Sequence, residues 1–520
     1  MMRDDMKDKK ELIPPAAEPC PANFRHQNGP MEPAVLRRQL PDDTWCNPLT
    51  LENYPCGFLA PSRYGKDKAS ASDFNGPIRD FRELSDPEVL YDNGTWYIFP
   101  SCGDAYSSTD LVHWKYCKIL FTNGEHLGYA PTVVKCRNRY LLSSSLLFSD
   151  RAEIFEADSP LGPYRSLGTP TDGAGHPLAP EWLDPMLFAD DDGRLYAYWH
   201  FGGEGKGIFG IELDADDPAR GIGQPVKLMD FDPSNRFERY GEFNEHPRMA
   251  WIEGASMFKH NGEYYLQYAG CGTQFHHYAL GVCRGKSPLG PFLERQRTPV
   301  ALQPYGRVTG TGHGCWVRGP ENSVWQFYTV LVRRIYKYER RIGMDKVEFA
   351  PDGSAHVTIT STPQSVFSGD LGQLPLSVNK AVCASSSSDC CFPGFAVDDC
   401  THTWWMPGKD DKEPFLEVDL RQEFIVTSFQ VCWAEEGLDY RAGVLPEAVK
   451  YAVLFFDEEH KPCGQADLAG NDRDLLADFH VISPVCARFV RLVIHPTISS
   501  KLRLGVNNFT VFGFPDETKA

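Results

Sequence analysis

One pattern of hydrophobic and polar positions recurs five times along the chain. Each copy begins with a small or acidic residue, often followed by proline, and continues with a short apolar run, a turn and an aromatic-rich alternating run. Polar turns such as Asn-Gly and Asp-Gly between the two runs indicate β-hairpins. The copies are DPEVLYDNGTWYIFPS from Asp86, APTVVKCRNRYLLSSS from Ala130, DPMLFADDDGRLYAYW from Asp184, EGASMFKHNGEYYLQYA from Glu253 and, more loosely, GHGCWVRGPENSVWQFYTV from Gly312.

The spacing of these copies predicts the architecture. The distance between the starts of consecutive copies equals or exceeds the ~40–50 residues that are typical of propeller-blade repeats. The segments between the copies show no helical periodicity. Five antiparallel repeats of this kind predict a five-bladed β-propeller over residues 79–365. From about residue 377 to residue 516 the pattern changes to alternating strands such as VKYAVLFF and NNFTVFGF, which predict a β-sandwich. Residues 1–78 show no repeat and are predicted to form an irregular extension.

Three of the five repeats open with an acidic residue: Asp86, Asp184 and Glu253. The innermost strand of each propeller blade lines the central channel, so residues at equivalent strand starts are expected to converge. An Asp-Pro dipeptide alone is also a common turn; the shared repeat position favours a functional cluster. By simple counting, Glu253 lies one residue ahead of the Asp86 register, which a β-bulge would absorb.

Three converging carboxyl groups suit the hydrolysis of a glycosidic bond. This reaction needs two carboxyl groups, one that protonates the leaving oxygen and one that acts on the opposite face of the sugar. The proton donor needs a raised pKa, and a third carboxylate nearby helps to raise it. The sequence therefore indicates a glycosidase.

The composition of the chain limits the kinds of binding partner that are expected. The chain has 520 residues, a formal net charge of -18 and 16 cysteines, none of them in a C-x-x-C pair. The acidic balance argues against nucleic acid or an anionic membrane as a partner. The N-terminal residues lack the apolar run of a signal peptide, and no stretch approaches the ~20 apolar residues of a membrane span. The expected location is the cytoplasm; the oligomeric state stays open.

The motifs together resemble glycoside hydrolase family 43, a family of five-bladed propellers that includes β-xylosidases and α-L-arabinofuranosidases. The resemblance covers roughly residues 80–360. It implies that Asp86 is the general base, Asp184 the residue that modulates the pKa of the acid, and Glu253 the general acid. It also implies inversion of configuration, with about 6.5–9.5 Å between base and acid. The motifs are Asp86-Pro87, Ala130-Pro131, Trp182-Leu183-Asp184-Pro185, Glu253-Gly254 and Gly312-His313-Gly314.

The resemblance also implies substrate contacts. Arg340 matches the sugar-contacting arginine of the family, although Arg341 is adjacent and only one of the two can face the channel. His313 matches an imidazole near the channel axis that sometimes faces a hydrated calcium ion; a packed histidine is the alternative. Tyr129 replaces a tryptophan and offers an aromatic ring for a sugar. No cofactor is predicted to be required, and a structural Ca²⁺ is left as an option.

The C-terminal region resembles the discoidin-like (coagulation factor type C) domain, a jelly-roll sandwich of the galactose-binding type. Such modules often bind sugars, and many only buttress an enzyme. Trp404 or Trp405 is a candidate sugar platform, with core packing as the favoured interpretation. The features are Ala384-Ser385, Ala396-Val397-Asp398-Asp399, Thr403-Trp404, Val418-Asp419-Leu420 and Ala487-Arg488-Phe489-Val490-Arg491-Leu492.

The leading functional prediction is an inverting hydrolase that releases α-L-arabinofuranosyl, β-D-xylosyl or related sugar units from oligosaccharides. Two alternatives stay open at this point. One is a glycosidase of another linkage, such as a galactofuranosidase or a β-galactosidase. The other is a sugar-binding protein without catalytic activity, against which the three intact carboxylates argue.

Overall fold

The structure is a computed structural model. It describes residues 38–52, 84–101, 104–123, 128–145, 152–178, 182–200, 207–332, 339–438, 444, 446–497 and 501–516. The predicted all-β class is confirmed: a five-bladed propeller is followed by a C-terminal β-sandwich. No helix in these ranges is long and apolar enough to cross a membrane.

Each blade is a four-stranded antiparallel sheet whose strands pair in chain order. Blade 1 contains β2 (Glu88–Asp92), β3 (Thr95–Phe99), β4 (Ala105–Ser108) and β5 (Lys115–Cys117). Blade 2 contains β6 (Thr132–Cys136), β7 (Arg139–Ser143), β8 (Ile154–Ala157) and β9 (Arg165–Gly168). Blade 3 contains β10 (Leu183–Ala189), β11 (Leu195–His200), β12 (Ile208–Leu213) and β13 (Gly221–Met229).

The last two blades follow a short insertion. The insertion contains a 3-10 helix (Arg236–Glu238) and the paired strands β14 (Arg239–Tyr240) and β15 (His246–Ala250). Blade 4 contains β16 (Glu253–His260), β17 (Glu263–Gly270), β18 (Ala279–Gly285) and β19 (Glu294–Arg295). Blade 5 contains β20 (Gly314–Arg318), β21 (Val324–Leu331), β22 (Arg340–Phe349) and β23 (Ala355–Val357), with a 3-10 helix at Pro320–Asn322.

The hydrophobic core of the propeller lies between consecutive blades. Separate buried clusters join blades 1 and 2, 2 and 3, 3 and 4, and 4 and 5. A further cluster packs Trp96 and Ile98 of blade 1 against Trp325 and Phe327 of blade 5. This contact closes the ring. Because each blade needs both neighbours to bury its two faces, the five strand starts are held around one channel.

Two smaller sheets and the sandwich complete the chain. Within the segment predicted to be irregular, β1 (Thr44–Trp45) pairs with β24 (Gln364–Ser365), which pairs with β25 (Gly369–Asp370). The sandwich sheet begins at β26, slightly before residue 377, because β26 pairs with the end of the last strand. Its strands are β26 (Leu374–Pro375), β27 (Ala381–Ala384), β28 (Phe415–Glu436), β29 (Tyr451–Phe456), β30 (Pro462–Asp467), β31 (Ala477–Ile494) and β32 (Arg503–Pro515), with a 3-10 helix at Pro393–Ala396.

The sandwich has its own apolar core, and polar contacts join it to the propeller. Trp405 is fully buried in that core and its indole nitrogen donates to the carbonyl oxygen of Ser386, 2.9 Å away. Core packing, the favoured interpretation for this tryptophan, is therefore what the structure shows. At the boundary, the buried Arg307 donates to the carbonyl oxygen of Asn47 (2.8 Å) and to the side chain of Gln430.

Candidate active site

The inner strand of every blade is entered through one residue in the left-handed backbone region. These residues have φ values of 34° to 59° and are Asp86, Ala130, Asp184, Gly254 and His313. Four of the five are not glycine, although a side chain costs about 1–2 kcal/mol in this conformation. Gly254 therefore occupies the place of Asp86 in blade 4, and Glu253 precedes it. The pairing of β16 with β17 shifts register between Glu253 and Ser256, and the pairing of β10 with β11 shifts in the same way between Leu183 and Met186. This bulge therefore does not absorb the offset seen in the sequence, and Glu253 lies one residue before the shared position.

Hydroxyl groups at the ends of the second strands hold these strained residues in place. Ser145 accepts the backbone N–H of Asp184 at 2.7 Å and donates to its Oδ1 at 3.0 Å. Thr329 accepts the backbone N–H of Asp86 at 3.0 Å, and Ser101 donates to Oδ2 of Asp86 at 2.6 Å. Neighbouring blades thus fix the backbone of both aspartates and the carboxylate of Asp184, whereas Ser101, which follows β3 of the same blade, holds the carboxylate of Asp86.

The predicted carboxylates converge on the channel. Nδ1 of His313 lies 3.4 Å from Oδ1 of Asp86 and 3.9 Å from Oδ2 of Asp184. Asp184, His200 and Glu253 each contribute one side-chain atom to a group whose members lie within 4.8 Å of one another. Blades 1, 3, 4 and 5 therefore bring Asp86, Asp184, Glu253 and His313 to one place. The repeat predicted this convergence for the three acidic residues, and the family resemblance implied it for His313.

Asp86 is surrounded by hydrogen-bond donors. Nη1 of Arg340 donates to Oδ1 of Asp86 at 2.9 Å, and Ser101 and Ser85 donate to Oδ2 at 2.6 and 3.1 Å. Burial by itself raises the pKa of Asp86, but the Arg340 charge, the His313 imidazole and the two hydroxyl groups outweigh it and lower the pKa. Asp86 is therefore ionised at neutral pH, the state that a general base requires.

Glu253 has the opposite environment. It is buried, and burial raises its pKa well above the usual value, with the Asp184 carboxylate adding to the rise. Tyr278 donates to Oε1 of Glu253 at 2.6 Å, and burial keeps the pKa of this phenol well above its usual value. Glu253 is therefore held in the protonated state that a general acid requires.

The predicted substrate-contacting residues line the same place. Arg340 also donates to Oγ1 of Thr273 at 2.7 Å, and its guanidinium lies 5.9 Å from the centre of the Tyr129 ring. Arg341 instead donates to the carbonyl oxygen of Arg340 at 2.6 Å. Arg340 is thus the arginine beside Asp86, whereas the sugar contacts of Arg340, Tyr129 and His313 remain predictions.

Sequence analysis did not single out several residues that contact the carboxylates or Arg340: Ser101, Ser145, His200, Thr273 and Tyr278. Ser101 and Ser145 both close the second run of their repeats, so this shared serine was an available signal. His200 ends β11, and Thr273 and Tyr278 lie in the connection after β17, where the repeat marks no residue. His200 is the most unusual of them. His200 is 4% exposed, and its Nδ1 lies 3.5 Å from Oδ2 of Asp184. Burial lowers the pKa of His200, so its ring is neutral at pH 7.

The side chains near His313 can be compared with the ligands that a Ca²⁺ ion requires. Ca²⁺ takes 6–8 oxygen ligands, largely from carboxylates and carbonyl groups. Among the residues that the structure describes, the one carboxylate and imidazole group suited to a metal is Asp184, His200 and Glu253, which overlaps the predicted catalytic residues. This set supplies few oxygens for Ca²⁺, and the calcium site stays a prediction.

Comparison with known proteins places the chain in a family. The family model for glycosyl hydrolases family 43 matches residues 77–355. Since this match covers more than half of the chain, the chain belongs to glycosyl hydrolases family 43, as its motifs predicted.

Several curated proteins are similar over the propeller. A xylan 1,3-β-xylosidase from Vibrio sp. is 26% identical over 283 residues, which are 48% of this chain and 48% of that protein. A β-D-galactofuranosidase (xynD) from Aspergillus niger is 30% identical over 287 residues, 48% of this chain and 74% of that protein. An extracellular endo-α-(1→5)-L-arabinanase 2 from Bacillus subtilis is 25% identical over 264 residues, 42% of this chain and 52% of that protein. The chain thus spans about half the length of the xylosidase and of the arabinanase.

Solved structures were compared as well. A thermostable family-43 glycoside hydrolase matches with a TM-score of 0.46 and 22% identity, covering 55% of this chain and 97% of that chain. A xylan β-1,4-xylosidase from Bacillus halodurans matches with a TM-score of 0.42 and 14% identity, covering 84% of this chain and 99% of that chain.

Proposed function

We propose that the protein is an inverting glycoside hydrolase that releases pentose units, α-L-arabinofuranosyl or β-D-xylosyl, or related sugars from oligosaccharides. The observation that carries the proposal is the opposite tuning of two buried carboxyl groups at one site. The pKa of Asp86 is lowered and that of Glu253 is raised. A binding protein needs no such pair, whereas acid–base hydrolysis does.

The proposed reaction uses each carboxyl group once. Asp86 accepts a proton from a water molecule while the water oxygen forms a bond to the anomeric carbon. Glu253 gives its proton to the glycosidic oxygen as the bond between that oxygen and the anomeric carbon breaks. The products are a free sugar of inverted configuration and an alcohol, and exchange with solvent restores the two protonation states. Asp184 keeps the pKa of Glu253 high through its charge.

The sugar class rests on family membership and on the relatives. The similar proteins are named as acting on xylosides, arabinan and galactofuranosides. A β-D-galactofuranosidase activity is the second candidate, because the Aspergillus niger relative is 30% identical and three quarters of it aligns. Furanosides of arabinose and galactose share the five-membered ring, which makes the two alternatives chemically related.

A panel of aryl glycosides tests the proposal. Purified protein is incubated with the α-L-arabinofuranoside, β-D-xyloside, β-D-galactofuranoside and β-D-galactopyranoside, beside its Glu253→Gln variant. Hydrolysis of a pentoside by the wild-type protein alone supports the proposal. Preference for the galactofuranoside favours the second candidate, and no turnover of any glycoside contradicts a hydrolase.

For the C-terminal sandwich we propose a discoidin-like fold that buttresses the propeller. The burial of Trp405 in the sandwich core leaves that side chain unsuited to stack on a sugar. The contacts of Arg307 with Asn47 and Gln430 support a structural role at the boundary. A cytoplasmic location remains part of the proposal and fits the use of short oligosaccharides; fractionation of producing cells tests it.

A further inference from the structure

Two exposed aromatic side chains lie close together beside the proposed active site. Tyr305 and Phe243 are 69% and 61% exposed, the highest values of any phenylalanine, tyrosine or tryptophan in the described ranges. Both rings approach the His277 imidazole, with centroid distances of 6.3 and 5.8 Å. We call Phe243, His277 and Tyr305 the aromatic patch.

The aromatic patch is on the same face of the propeller as the carboxylates. Strand β17 ends beside Glu253, because Ala269 pairs with Glu253, and the connection 271–278 starts from there. Within this connection, Thr273 accepts from Arg340 at 2.7 Å and Tyr278 donates to Glu253 at 2.6 Å. His277 directly precedes Tyr278, so the aromatic patch lies on the Glu253 side of the site.

His276 fixes the connections that carry the patch. Its Nδ1 and backbone nitrogen lie 2.5 and 3.3 Å from Oε1 of Glu242, the neighbour of Phe243. Its carbonyl oxygen accepts the N–H of Gly310, in the connection that carries Tyr305, at 3.2 Å. Its ring packs against His402 of the sandwich, with centroids 4.1 Å apart. The connections that carry the rings are therefore tied to one another and to the sandwich.

We propose that the aromatic patch is a saccharide-binding subsite for the leaving-group side of the substrate. This inference rests on the proposed function, in which Glu253 protonates the leaving oxygen. The part of the substrate beyond that oxygen must then lie on the Glu253 side, where the patch is. Apolar surface that stays exposed is costly in water, and exposed apolar side chains that lie side by side often mark interaction sites. The C–H faces of a sugar ring cover such rings without needing a charged partner.

Kinetics on substrates of different length test the inference. Phe243→Ala and Tyr305→Ala are compared with the wild-type protein on the methyl glycoside and on the tetrasaccharide of the sugar that it releases fastest. Each variant is expected to raise KM for the tetrasaccharide about tenfold and to leave the methyl glycoside unchanged. Phe367→Ala is the matched control, since Phe367 is 58% exposed and lies between β24 and β25. Wild-type KM values for the tetrasaccharide in both variants would overturn the inference.

A binding measurement separates this inference from the proposed function. Tetrasaccharide affinity is measured by calorimetry in Glu253→Gln, alone and combined with Tyr305→Ala. Weaker binding of the double variant supports the subsite even if the wild-type protein hydrolyses no glycoside. Equal tetrasaccharide affinity of the single and the double variant would overturn the subsite. If the protein also sediments as a dimer that Tyr305→Ala dissociates, the aromatic patch would instead serve self-association.

Discussion

The surroundings of Asp86 in blade 1 and of Glu253 in blade 4 differ in what faces the carboxyl group. Asp86 meets a guanidinium and two hydroxyl donors. Glu253 accepts one hydrogen bond, from the Tyr278 phenol, and the negative charge of Asp184 raises its pKa. Both side chains are buried, at 5% and 7% exposure. Burial alone therefore does not assign the roles of acid and base; the charge and the donors that each blade places beside the carboxyl group do so.

Removal of either carboxyl group is the largest expected effect and separates the two roles. Asp86→Asn and Glu253→Ala should each lower kcat on natural oligosaccharides by about 10²–10⁴-fold. An aryl glycoside with a highly acidic phenol as leaving group needs little protonation. Glu253→Ala should therefore recover much of its activity on that substrate, whereas Asp86→Asn should not. Steady-state kinetics on both substrates measure this, and equal recovery of the two variants would contradict the assignment.

Removal of the Arg340 charge tests whether this charge lowers the pKa of Asp86. In the wild-type protein, activity is expected to fall at low pH as Asp86 takes up a proton and at high pH as Glu253 loses one. Arg340→Met removes the largest influence that lowers the Asp86 pKa. The acidic limb of kcat/KM should then move up by roughly one pH unit or more.

Arg341→Met is the matched control for that experiment, because Arg341 donates to a backbone carbonyl oxygen rather than to Asp86. Its acidic limb should stay at the wild-type position. Arg340→Met could instead lose activity while the acidic limb of its kcat/KM profile stays at the wild-type pH. Arg340 would then act on the substrate alone, and the electrostatic account of Asp86 would fail.

Tyr278→Phe tests how the Tyr278 hydrogen bond affects the pKa of Glu253, and its expected effect on activity is smaller. The phenol stabilises the ionised form of Glu253, so its removal should raise the pKa of Glu253 further. The alkaline limb should then move to higher pH by about one unit. Because a weaker acid donates its proton less readily, kcat should fall modestly. A pH profile measures both effects, and a shift to lower pH would contradict the proposed hydrogen bond.

The smallest expected effect concerns stability. Ser145→Ala leaves the buried N–H of Asp184 without its acceptor, which should lower the free energy of unfolding by about 1–3 kcal/mol. Urea unfolding measures it. Ser354→Ala serves as the control, since its hydroxyl bonds the exposed Asp352 and its loss should change stability by less than about 0.5 kcal/mol.

The repeat explains which parts of this site were predictable. Asp86 and Asp184 share a position in a pattern that recurs, and Glu253 lies one residue ahead of that position. Propeller symmetry places such positions close together. Tyr278 and His200 reach the same carboxylates from a connection and from the end of a second strand, whose paths no recurring pattern specifies. The choice between Arg340 and Arg341 depended on a register that side-chain alternation alone left open. Only the pairing of β22 with its neighbours settles which arginine faces Asp86.

The configuration of the first product tests the central claim most directly. Proton NMR follows the anomeric signals during the first minutes of hydrolysis of an aryl β-D-xyloside, or of the pentoside that the protein prefers. With Asp86 activating water on the face opposite to Glu253, the first sugar from a β-xyloside should be α-xylose, which then mutarotates. Initial release of β-xylose would mean a covalent intermediate and would contradict the roles assigned to the two carboxyl groups.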